Sequence, residues 1–224
     1  MGRRSQLTAA DGHGLDGYRA DAAGTPKGGV VVLQEIFGVN AYIREVCDDY
    51  ARRGYTAIAP ALYDRLQANA SFAYSPDGMK QARALRVQLD WEKIELDVAA
   101  AIAALRPLRV GTVGYCLGGS VSWLAACRLG VEAASCYYPT DIARQYQDQP
   151  RCPVVIHFAA RDHIVGLDTV EKFRAAHPEI PAHVYEADHG FNCWKRPPEA
   201  GYDAASSALA LDRTLSLFER CLAR

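Results

Sequence analysis

One cysteine sits among glycines in "VGTVGYCLGGS", residues 110–120. Gly114 and Gly118 flank Cys116 in the spacing G-x-C-x-G, which is the nucleophile-elbow spacing G-x-S-x-G with a thiol replacing the hydroxyl. Side chains at 114, 118 or 119 would collide with a sharp strand-to-helix turn and with the strand beside it, so the glycines predict such a turn. An elbow lifts its nucleophile above the sheet edge and aims the first backbone N–H groups of the next helix at a developing oxyanion. The alternative for any one cysteine is a small buried hydrophobe, the reading that suits Cys47, Cys127, Cys136, Cys152, Cys193 and Cys221. A phosphate loop also uses glycines at such a turn, but Ser120 stands where it needs lysine, and no G-x-G-x-x-G occurs.

A thiol nucleophile needs a base, and the chain has six histidines. His13 falls in a Gly-rich turn, His157 inside an apolar run, and His177 and His183 beside Pro178 and Pro181; core, cap or surface roles account for all four. His189, in "EADHGFNCW", lies in a polar turn just after a β-like run. Asp162, in "FAARDHIV", follows another such run and is placed to orient an imidazole and stabilise its charged form. His163 is the competing base, though it adjoins Asp162, and Asp188 is too near His189 in sequence to be the favoured partner. A lone aspartate after a strand is commonly a helix cap, so Asp162 gains meaning only beside the other two. The order Cys116, Asp162, His189 is nucleophile, acid, histidine, the chain order of α/β-hydrolases.

The elements that must carry these residues alternate. Short β-branched runs at 28–34, 55–60, 109–115, 132–138, 153–159 and 182–187 are continuously apolar, as strands covered on both faces are. Helical stretches fall at 41–54, 91–106, 117–130 and 202–224, the first and third closing on glycine and the second before Pro107. This alternation predicts an α/β fold, a mostly parallel sheet with helices on both faces and no cap domain, whose ligands bind beyond the carboxyl ends of the strands. Residues 5–21 read as an antiparallel edge hairpin, and the irregular stretch 63–78 as a lid or pocket wall.

At 224 residues, with 50% hydrophobic and 23% charged, the chain suits one domain over 1–224. A net charge of −1 gives no electrostatic reason to expect nucleic acid or an anionic membrane as partner. The opening "MGRRSQLTAADGHG" is followed by no apolar segment, and seven scattered cysteines without a C-x-x-C pair suit reduced thiols in a cytoplasmic protein.

Together, "VVVLQEIFGVN", "GYCLGG", "AARDHIV" and "DHGFNC" resemble the dienelactone hydrolases (carboxymethylenebutenolidases) over nearly the whole chain. The resemblance implies an α/β-hydrolase fold, a Cys116, Asp162 and His189 triad, and an oxyanion hole from the backbone N–H groups of Leu117 and Ile36. It implies hydrolysis of an enol-lactone such as dienelactone through an acyl-enzyme, with no metal or organic cofactor. It further implies that Glu35 takes the proton of a thiol kept protonated at rest; burial at the end of the first central strand is expected to raise the Glu35 pKa and make it a competent acceptor. The expected partner is a small lactone or ester, and the expected assembly a monomer or weak homo-oligomer. The departure is at Cys193, where the family carries an arginine that grips a substrate carboxylate. A compensating cation would come from Arg83, Arg86, Lys195 or Arg196. Phe37, Phe72, Tyr74, Tyr137 and Phe191 are candidate pocket walls. Unrelated small esters or thioesters hydrolysed by the same triad, or a non-catalytic redox thiol, are the alternatives.

Overall fold

A computed structural model describes residues 1–196 and 201–223. The end of the last expected helix, Arg224, lies outside them. Five strands are buried at every residue: β3 (Gly28–Leu33), β4 (Tyr55–Pro60), β5 (Val110–Tyr115), β6 (Ala133–Tyr137) and β7 (Val154–Ala159). These are the continuously apolar runs, and alternate side chains serve opposite faces. Val30 and Val32 join one core cluster while Val31 and Leu33 join another. With the edge hairpin β1 (Arg3–Thr8) and β2 (Gly14–Ala20), and with β8 (Ala182–Tyr185), they form one sheet in the order β1-β2-β4-β3-β5-β6-β7-β8. β2 runs antiparallel to β1 and β4, and all other neighbours are parallel. This is the α/β-hydrolase architecture without a cap domain.

α1 (Ala41–Arg52) and α7 (Ala204–Leu222) cover one face; α3 (Trp91–Ala103) and α4 (Leu117–Arg128) cover the other. Asn40, Asp90 and Asp203 cap three of these with their side chains, each satisfying one of the free N–H groups of a first turn. Each helix is shorter than its periodic stretch. Three helices were not anticipated: α2 (Pro76–Arg86), α5 (Ile142–Gln145) and α6 (Leu167–Ala176). The irregular stretch expected over 63–78 ends at Ser75, which caps α2 ahead of a proline in its first turn, a start signal present in the sequence. Among the described residues no helix is long and apolar enough to cross a membrane.

Register places the site. Leu33 lies opposite Gly114, Gly114 opposite Cys136, and Tyr115 opposite Tyr137, so β3, β5 and β6 end together. The residues that follow them, Glu35, Cys116 and Tyr138, leave the same sheet edge.

Candidate active site

Cys116 joins β5 to α4 with φ 58° and ψ −115°, a conformation L-residues rarely adopt and that costs about 1–3 kcal/mol. The three glycines are sterically required. A Cβ at Gly114 would run into the Gly118 carbonyl, one at Gly118 into the Leu33 carbonyl, and one at Gly119 would stand 2.5 Å from Tyr137 O. The thiol is 4% exposed.

His189 and Asp162 arrive from the loops after β8 and β7. His189 Nδ1 donates to Asp162 Oδ2 at 2.7 Å, with the side chains 3% and 1% exposed. Asp162 Oδ1 accepts from the backbone N–H of Ile164 at 2.8 Å and of Val165 at 3.0 Å. Burial alone would raise the Asp162 pKa, but these bonds and the imidazole outweigh it and hold the carboxyl below its ordinary range. His189 Nε2 is buried without a hydrogen-bond partner. It lines, with Cys116, a cavity of about 360 Å³ whose further walls include Ile36, Phe37, Met79, Thr140 and Ile164. The N–H groups of Ile36 and Leu117 donate to nothing among the described residues. Tyr63 Oη fixes the Ile36 loop by donating to Ile36 O at 2.9 Å.

Glu35 is 1% exposed, as its place at the strand end anticipates. Both its oxygens are engaged: Tyr74 Oη donates to Oε2 at 2.8 Å and Arg196 Nη2 to Oε1 at 2.7 Å. Arg196 also donates from Nη1 to His189 O at 3.2 Å and lies 5.6 Å from the Tyr74 ring centre. Among the four candidate cations, the structure therefore brings Arg196 to the buried carboxylate. Lys195 pairs with Glu45 at 2.8 Å, away from the cavity. Arg86 lines the cavity but is tied to Asp141, itself buried. Arg83 lines the cavity at its exposed side, and its guanidinium has no ionic or hydrogen-bonding partner among the described residues.

Several expected pocket residues lie elsewhere. Tyr137 points to the other face of the sheet, where its hydroxyl meets Thr214 Oγ1 at 3.0 Å, because the strand alternation that aims Cys136 one way aims Tyr137 the other. Its neighbour Tyr138 packs on His189 instead, ring centres 4.9 Å apart, at the unusual φ of 36°. Phe191 is wholly buried between Tyr138 and Tyr185. Cys193 is also fully buried; desolvation and the charge of Glu35 push its pKa up to about 12. Phe72 and Tyr74 wall a separate groove on the far side of Arg196. Sequence reasoning missed Tyr138, which packs on His189, and Thr140, Met79 and Ile164, which line the cavity; Tyr138 and Thr140 follow the end of β6, where the strand-end rule points.

The family model described as "Dienelactone hydrolase family" matches residues 15–222. The chain is 33% identical over 225 residues to the carboxymethylenebutenolidase of Pseudomonas putida, covering 93% of this chain and 92% of that one. It is 31% identical over 199 residues to carboxymethylenebutenolidase 1 of Cupriavidus pinatubonensis, covering 84% of each. The crystal structure of a "Putative Dienelactone Hydrolase" from Klebsiella pneumoniae superposes with a TM-score of 0.79 at 30% identity, over 97% of this chain and 98% of that one.

Proposed function

The chain belongs to the dienelactone hydrolase family and is a lactone or ester hydrolase, and from that premise we propose that it opens enol-lactones such as dienelactone through a thioester on Cys116. The observation that carries this reading is the alignment around one cavity of a strained cysteine elbow with an imidazole whose Nδ1 is pinned and whose Nε2 is free.

The substrate carboxylate displaces Glu35 from Arg196. Released inside the protein, the Glu35 carboxylate is a base that takes the Cys116 proton. The thiolate attacks the lactone carbonyl carbon, and the oxyanion draws on the N–H groups of Ile36 and Leu117. The ring C–O bond breaks as the tetrahedral intermediate collapses, the ring oxygen leaves as an enolate, and the acyl chain remains on sulfur. His189 Nε2 then takes a proton from water, which attacks the thioester and frees the thiolate; Asp162 stabilises the imidazolium. Burial gives the first exchange its leverage, because a carboxylate without its cation in a dry site is a far better proton acceptor than one in water.

A second reading, hydrolysis of small neutral esters or thioesters by the same steps, is favoured by one observation: two of the three cavity arginines already have anionic partners. Rapid-quench mass spectrometry with dienelactone tests the main reading. A transient adduct on the Cys116 peptide supports it; turnover with no adduct on any cysteine refutes it. Preference for the free acid over its methyl ester separates the two readings.

A further inference from the structure

We propose that Tyr42 and Asn192 form a positioning clamp that turns the loop after His189 back on itself, so that Arg196 delivers the cation facing Glu35 and the substrate carboxylate. The inference rests on the carboxylate-binding reading of Arg196 given above.

Asn192 is 6% exposed, Tyr42 is fully buried and Ser207 is 8% exposed. Asn192 Nδ2 donates to Tyr42 Oη at 2.8 Å, and Tyr42 Oη donates back to Asn192 O at 3.3 Å. Ser207 Oγ donates to Asn192 Oδ1 at 2.7 Å. One side chain thus joins the loop to α1, through Tyr42, and to α7, through Ser207. None of these three residues lines the cavity that holds Cys116 and His189, so the reaction itself gives no reason for so closed a set of polar contacts.

The loop's course supplies the reason. Two tight turns follow His189: Cys193 N–H donates to Gly190 O at 2.9 Å and Arg196 N–H to Cys193 O at 3.3 Å. Asn192 lies inside the first turn and immediately before the second. Beyond it, the Trp194 ring packs edge-on against Tyr42 at 4.8 Å, and both Trp194 and Lys195 bond to Glu45 on α1. The Glu45 contacts are solvent-exposed and weak. The Asn192 contacts are buried, where a lost partner leaves a polar group stranded, so they set the path. With residues 192, 194 and 195 held to α1, the next side chain, Arg196, is the one that comes back over His189 O to Glu35. Tyr42 also packs against Tyr115, which precedes Cys116, at 5.7 Å, so the clamp refers the loop to the nucleophile's own strand.

The test compares dienelactone with its methyl ester for the wild type, Tyr42→Phe, the double variant Tyr42→Phe/Asn192→Ala, and Arg196→Gln. The double variant removes both polar partners and so strands fewer groups, which guards against misfolding. Arg196→Gln should reduce the preference for the free acid by about tenfold, the scale of one charge-assisted contact. Each clamp variant should reduce it by about fivefold or more, through a higher KM for dienelactone with kcat within about twofold. Two outcomes overturn the clamp alone: folded clamp variants that keep the wild-type preference while Arg196→Gln loses it, or clamp variants that lose both substrates in equal proportion, as a merely structural role would produce. An Arg196→Gln enzyme that keeps the preference overturns both the clamp and the reading of Arg196 beneath it.

Discussion

Arg196 Nη2 and Glu35 Oε1 meet at 2.7 Å with their side chains 12% and 1% exposed. At that depth the two charges depend on each other. Glu35 offers no free oxygen to Cys116 until something replaces it on the guanidinium, since Tyr74 holds its other oxygen. In the proposed mechanism the reaction is thereby coupled to arrival of an anion.

Glu35→Gln keeps the side chain's shape and removes its charge. Single-turnover acylation by dienelactone should slow by about a hundredfold or more, the scale of a lost acid–base group. Arg196 loses its counter-charge in a buried place, so the variant should also be about 3 kcal/mol less stable to urea. Alkylation of the resting thiol by iodoacetamide should be no faster than in the wild type. Acylation at the wild-type rate would assign thiol activation to His189 alone.

Cys116→Ala removes one sulfur atom from a buried turn. Turnover of dienelactone should fall by about three powers of ten or more, the loss typical when a member of a catalytic unit goes. Melting temperature should stay close to the wild type, because the surrounding glycines, and not the thiol, make the turn possible. Most of the activity surviving in a folded variant would end the assignment.

How much of this was legible in the sequence differed by residue. The elbow was, because three glycines within six residues answer three backbone collisions, a local matter of sterics. The central strands were legible because burial on both faces forces unbroken apolar runs. Asp162 and His189 followed from strand ends. The cation paired with Glu35 did not: finding Arg196 there in place of Arg83, Arg86 or Lys195 depends on where two successive turns aim a long side chain, and Asn192 is tied there through contacts with residues 150 positions back along the chain and 15 ahead. Tyr137 and Tyr138 were exchanged for a similar reason. Which of two adjacent aromatics at a strand end faces the site depends on register, and a one-residue shift reverses it.

His157 makes the fold sensitive to acid. Its ring is wholly buried, with Nδ1 2.8 Å from Tyr185 Oη and Nε2 3.1 Å from Thr214 Oγ1. Burial first, then His183 stacked at 6.1 Å and Arg213, which bonds Tyr185, hold its pKa well below the ordinary value. The native state thus binds this proton less readily than the unfolded chain. The stabilisation is complete above the unfolded value, roughly pH 6.5, and is lost as pH falls below it, with a slope approaching about 1.4 kcal/mol per pH unit. Urea unfolding of the wild type should weaken from roughly pH 6.5 to 5, and His157→Gln should flatten that slope. Equal slopes in the two proteins would remove His157 from the account.

His189 should titrate differently before and after the chemistry at sulfur. Burial disfavours its charged form, but Cys116, whenever it is ionised, and the bond to Asp162 outweigh that and push the His189 pKa up to about 9. A ring held charged at neutral pH cannot accept a proton from water. Forming the thioester removes the thiolate, and with it the larger of the influences that raise the pKa, so the ring returns toward the range where it acts as a base. The site would then restrain water during the life of the thiolate that Glu35 generates once substrate has bound, and admit it when the acyl group is attached. Carbamidomethylation of Cys116 by iodoacetamide, or Cys116→Ala, keeps that charge from forming, and either should lower the His189 pKa by NMR titration. Stability shifts with it. A raised folded pKa adds stability that is complete below roughly pH 6.5 and is lost as pH rises through the folded value, so wild-type stability should fall toward about pH 9 while the alkylated protein loses its smaller share sooner. A His189 titration that stays in place when Cys116 is alkylated or replaced would show that the thiolate does not govern the base.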